Sequence, residues 1–108
     1  MSNINNLPTP NPSTMISYTS PTRKKDGTVY TNNTGLPLYV LVQAYIANPL
    51  SVGNLGLSVN SSSQWRTSYY PATGTVYTTV YGVVLPGLTY TVSDSTGAQT
   101  QNVWTEWN

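Results

Sequence analysis

The chain has no cysteine and no histidine, and its charge is confined to four Lys or Arg and three Asp or Glu among 108 residues. Charged residues make up 6%, against roughly 25% in ordinary soluble domains. Each absence excludes something. Without cysteine there is no disulfide framework and no thiolate metal site. Without histidine the side chain that most often moves protons near neutral pH is missing. A net charge of +1 creates too weak a field to steer the chain toward nucleic acid or an anionic membrane. No apolar run approaches the roughly 18 residues needed to span a bilayer, and the first thirty residues hold no secretion-like apolar stretch. The expectation is a protein assembled in a cytosol, with no nucleic-acid partner and no membrane insertion.

The groups that remain are poorly suited to catalysis. A serine nucleophile needs a base, and the candidates reduce to Lys24, Lys25 and the carboxylates of Asp26, Asp94 and Glu106. Glycoside hydrolysis needs two carboxylates flanking one bond at roughly 5 to 9.5 Å, and those three acids are the only source of such a pair. Asp94-Ser95-Thr96-Gly97 repeats an aspartic-protease tetrapeptide, but a single copy between two strands reads as a turn. Neither a carboxylate cluster for a metal nor a Gly-rich strand-to-helix loop for a phosphate is present. The expectation is a protein that is not an enzyme and takes no cofactor.

Nine Tyr and three Trp stand in place of charge, and the polar remainder is Ser, Thr, Asn and Gln. Residues 1–22 hold Pro8, Pro10, Pro12 and Pro21 among Asn, Ser and Thr, a composition that favours extended backbone without amide donors. This segment reads as an attachment arm held by a partner, and residues 23–108 as one β domain. Arg23, Lys24 and Lys25, followed by Asp26, mark the junction. Together with Pro8, Pro10 and Pro12 they are the candidate partner-binding residues. Asn32-Asn33-Thr34 and Asn60-Ser61-Ser62 match the glycosylation pattern and are read as turns.

From Thr28 onward, short alternating segments are separated by turn chemistry. Strands are expected over 28–32, 37–47, 55–60, 64–70, 75–85, 88–93 and 98–107. In the 37–47 segment both alternating sets are largely apolar, Leu38, Val40, Val42, Ala44 and Ile46 against Tyr39, Leu41, Gln43 and Tyr45, so both faces of that strand should be covered. Pro86-Gly87 fits a type II turn. Trp104 and Trp107, three apart, should lie on opposite faces, one in the core and the other toward a neighbour or solvent. About seven strands without helical periodicity predict an antiparallel β-sandwich, jelly-roll-like, with an extended N-terminal arm.

Four stretches, in order, resemble the C-terminal tip module of bacteriophage tail fibres: Tyr30 to Val42 (YTNNTGLPLYVLV), Leu55 to Asn60 (LGLSVN), Leu85 to Val92 (LPGLTYTV) and Val103 to Asn108 (VWTEWN). The resemblance implies a small β-sandwich, a homotrimer about a threefold axis and a place on the virion exterior, with the chain itself and a major capsid protein or tail-fibre protein as partners. A module placed behind only a short Pro-rich arm favours a capsid cement or decoration protein. The alternative is a tail-fibre tip that binds a host-surface receptor or glycan, with Trp65, Tyr69 and Tyr70 as the stacking residues.

Overall fold

The computed structural model describes residues 16–17, 22–69, 71, 73–96 and 98–108, with backbone alone over 63–69. These form eight strands: β1 (Ile16–Ser17), β2 (Tyr30–Thr31), β3 (Leu38–Ala47), β4 (Gly53–Val59), β5 (Ser62–Tyr69), β6 (Thr75–Val84), β7 (Thr89–Asp94) and β8 (Thr100–Trp107). Among the described residues there is no helix. Each of the seven expected strands has a counterpart, with ends displaced by a few residues. The eighth, β1, falls inside the segment read as an arm: Ile16 pairs with Glu106 and Ser17 with Thr105. Two residues with no alternation to read leave no strand signal. Pro8, Pro10, Pro12 and Pro21 lie outside the described residues.

The strands make two antiparallel four-stranded sheets, β1-β8-β3-β6 and β2-β7-β4-β5. Strand β1 pairs with β8, β2 with β7, β3 with β6 and β4 with β5. The chain is thus one long hairpin, wound so that successive pairs fall in alternate sheets. Its tip is the two-residue turn Asn60–Ser61, where both residues have positive φ, 50° and 69°, the geometry that matches the twist of a tight hairpin. Ser62 and Ser63, expected in the turn, begin β5 instead. At Pro86-Gly87 the glycine takes φ 82°, as the type II reading requires.

Alternation along the strands builds the core. Leu38, Val40, Val42 and Ala44 of β3, Val80 and Val84 of β6 and Trp104 of β8 face Leu55, Leu57, Tyr90 and Val92 from the other sheet, and all are buried. Burying each such side chain contributes about 1.5–3 kcal/mol, giving a sandwich-like fold held mainly by its filling. At Gly82 the other sheet comes close enough that a Cβ would meet Leu57 Cδ2 at 2.9 Å.

Asn32 closes one end of this core. Its buried amide donates to Leu36 O at 2.7 Å and to Val84 O at 2.8 Å, and accepts from the Thr34 amide and hydroxyl at 3.0 and 2.7 Å. The Asn32-Asn33-Thr34 turn is therefore stapled to the end of β6, with every hydrogen-bonding position of the amide used.

Candidate functional site

Two places concentrate the chain's polar and aromatic groups. The first is the 23–27 segment, where the sequence placed its candidate partner-binding cations. It runs beside β7: the Gly27 amide donates to Val92 O, the Asp94 amide to Lys25 O, and Asp26 bridges Ser93. Two of the three cations turn inward. Arg23 Nε meets Glu106 Oε2 at 3.2 Å, and its guanidinium lies 4.5 Å from the centre of the Tyr30 ring. Lys25 Nζ meets Asp94 Oδ2 at 3.1 Å. Lys24 is exposed, and its amide donates to Tyr30 Oη at 2.8 Å.

Glu106 is the centre of this region. It sits on the inner face of β8 at 4% exposure. The same oxygen, Oε2, accepts from Tyr90 Oη at 2.7 Å, from Trp104 Nε1 at 2.9 Å and from Arg23 Nε. Trp104 and Glu106 come from one sheet and Tyr90 from the other, so one carboxylate ties both sheets to the Arg23 segment. Tyr30 packs against Tyr90 and Trp104, each with ring centres 5.7 Å apart. Burial first, then the hydrogen bond to Glu106 and its negative charge, push the Tyr90 phenol well above its ordinary value.

Asp94 heads the turn that follows β7. Burial alone would raise its carboxyl, but the amides of Gln99 and Thr96 and the Lys25 ammonium outweigh it and hold the group at about 2. The carboxylate serves the turn: Oδ1 accepts from the Thr96 amide and hydroxyl, and Oδ2 from the Gln99 amide and Lys25. Asp26 is lowered by hydrogen bonds from the Thr28 hydroxyl and amide. The three acids thus have separate structural duties.

The second place is the outer face of the β8-β3-β6 strands. The register Tyr39↔Val83, Leu41↔Tyr81, Gln43↔Thr79 and Tyr45↔Tyr77 sets these side chains on one surface, with Trp107 opposite Tyr39. Tyr39 stacks on Trp107 at 6.0 Å between ring centres, and Tyr45 leans on Tyr77 at 5.8 Å. Tyr81, between these pairs, and Val83, opposite Tyr39, are 61% and 45% exposed. Tyr39, Leu41, Tyr81, Val83 and Trp107 line a shallow groove of ≈ 630 Å³. Neither β3 nor β6 contains a charged residue, and the charged residue of β8, Glu106, points inward.

No family model matches this chain, and no curated protein matches it either. The candidate site therefore stands on its geometry. Trp104 is the core member of the tryptophan pair and Trp107 the outer one. The side chains of Trp65 and Tyr69, and all of Tyr70, lie outside the described residues. Both alternating sets on 37–47 were visible in the sequence. That the Tyr39 set shares a face with Tyr77, Tyr81 and Trp107 was not, because it depends on the pairing of β3 with β6 and β8.

Proposed function

We propose that this chain is a non-enzymatic structural protein of a bacteriophage virion, a homotrimeric jelly roll fixed to the virion exterior by its N-terminal segment and serving as a capsid cement or decoration protein. The observation that carries this reading is the winding of the chain. Strand pairs 1–8, 2–7, 3–6 and 4–5, alternating between two four-stranded sheets, have the strand number and two-sheet form of a jelly roll, an architecture used by viral capsid domains. The resemblance of four ordered stretches to a phage tail-fibre tip module supports the same setting.

Strand β1 ends its sheet, so Ile16, where the described chain begins, lies at a sheet edge, and the reading gives the attachment role to the segment that precedes it. Within the 23–27 segment Lys24 is exposed, whereas Arg23 and Lys25 are engaged within the chain. Attachment is therefore assigned to residues before Ile16 together with Lys24, and Arg23 and Lys25 to fixing the segment that leads there.

The test is a deletion of residues 1–15, which leaves β1 and both ion pairs in place. The truncated protein should remain a folded trimer and fail to bind phage shells lacking it. Full occupancy of the shells by the truncated protein would refute the attachment role. Loss of host adsorption by a phage carrying Tyr70→Ala, with shell stability unchanged, would assign the tail-fibre reading instead.

A further inference from the structure

We infer that the outer face of the β8-β3-β6 strands is the surface through which copies of this chain pack against one another; the inference rests on the trimer reading above and names its interface. The face is one continuous patch. Strand β3 has ten residues, roughly 33 Å of chain, and three strands span roughly 14 Å, a flat footprint of roughly 450 Å². Gln43 and Thr79, hydrogen-bonded to each other at 3.3 Å, cross it between the Tyr39–Trp107 and Tyr45–Tyr77 ends, so the face is apolar at both ends and uncharged throughout; apolar patches of roughly 300–600 Å² commonly mark interaction sites. Rings standing above the sheet raise the accessible area toward the roughly 800 Å² that each partner contributes to a standard interface.

The chemistry of the face selects the occupant. It offers aromatic rings, Leu41, Val83 and uncharged amides and hydroxyls, with no ion to pair. A partner of ordinary composition, roughly one quarter charged, would bring charges to be desolvated here without compensation. A second copy brings none, because the same face is free of charge in every copy. The net charge of +1 adds almost no repulsion between copies, and tyrosine and tryptophan are the side chains most enriched at interface centres.

The edge of the sheet points the same way. Strand β6 is the last strand of its sheet, and its ten residues include no proline and no charge that would hinder a neighbouring copy from reaching the face there. Tyr77 and Tyr81 stand on this strand at 58% and 61% exposure. Both rings are therefore placed to be covered by a neighbouring copy.

The experiment measures the mass of the full chain in solution by sedimentation, with near-ultraviolet circular dichroism reporting the packing around Trp104. The unaltered chain should sediment at three times 11.7 kDa. Tyr81→Arg and, separately, Val83→Lys should reduce it to one chain mass with the dichroism retained, because both side chains are exposed in the single chain. Thr91→Arg, on the outer face of the other sheet, should leave the trimer intact. Trimers that persist in both face variants would overturn the inference and leave the trimer reading standing. A single-chain mass for the unaltered protein at high concentration would overturn both. Trimers that persist but no longer bind shells would place a capsid protein on this face, again against the inference.

Discussion

Replacing Glu106 with leucine should expose how much of the fold hangs on one oxygen atom. The substitution keeps the volume roughly constant but strands the buried Trp104 N–H and Tyr90 O–H and leaves Arg23 without its carboxylate. An orphaned buried donor costs about 1–3 kcal/mol, and breaking one side of a buried ion pair costs about 3–5 kcal/mol. Arg23 keeps partial access to water, with 22% of its side chain exposed. The expected loss for Glu106→Leu is about 4 kcal/mol, a large share of the roughly 5–15 kcal/mol that holds a domain together. Glu106→Gln keeps an acceptor and should lose clearly less. Tyr90→Phe alone removes a hydrogen bond to a charged acceptor, about 2 kcal/mol. In the Glu106→Leu background the same change removes an orphaned hydroxyl and should cost nothing or stabilise. Urea unfolding followed by tryptophan fluorescence, at one fixed protein concentration because assembly adds to apparent stability, gives all four corners of the cycle. Additivity of the two substitutions within about 0.5 kcal/mol would refute the shared-acceptor argument.

Asp94 carries the acid sensitivity of the fold. Its carboxyl is held at about 2 against an ordinary 3.8, so its contribution, on the order of 2 kcal/mol, is complete above about pH 5 and is lost progressively as the pH falls through 2. Asp94→Asn should flatten the stability profile over that interval, and an unchanged profile would remove Asp94 from the account. Trp104→Ala should cost about 3–5 kcal/mol, and Trp107→Ala clearly less when both are compared as dissociated single chains; equal losses in chemical denaturation would contradict the inward and outward assignment. Gly82→Ala should destabilise by about 1–3 kcal/mol through overpacking, with Leu57→Val restoring part of the loss in the double variant, since the clash is with Leu57 Cδ2.

Runs of β-branched, aromatic and aliphatic residues bounded by turn residues located the long strands, Leu38 to Ala47 and Thr75 to Val84. Alternation set Trp104 and Trp107 on opposite faces, but which of them is buried came from the pairing of β8 with β3, which puts Trp104 opposite Val42. The candidate site was legible only in pieces. Tyr39, Tyr81 and Trp107 are far apart in the chain and meet through the registers of two different strand pairs. The ion pairs of the cations were not legible in the sequence. Arg23, Lys24 and Lys25 stand together at the junction, yet Arg23 finds Glu106 and Lys25 finds Asp94, 83 and 69 positions along the chain. Long-range ion pairs leave no local pattern, so a charge run reads alike whether it faces water or the protein.

The wound hairpin also fixes an order of events. Sequence distance between partners grows outward from Val59 and Ser62 at the tip, through Leu38 and Val84, to Ile16 and Glu106 at the open end. Loops that span more chain close at greater entropic cost, so the ribbon should zip from Asn60–Ser61 and seal last where β1 meets β8. Amide hydrogen exchange in the native protein should run the other way, fastest at Ser17 and slowest in the Leu55–Leu57 stretch of β4; uniform protection along the ribbon would contradict that order. The seam that closes last joins the strand following the proposed attachment segment to the strand carrying Glu106. A tether that pulls on this protein would load its latest-formed contacts first.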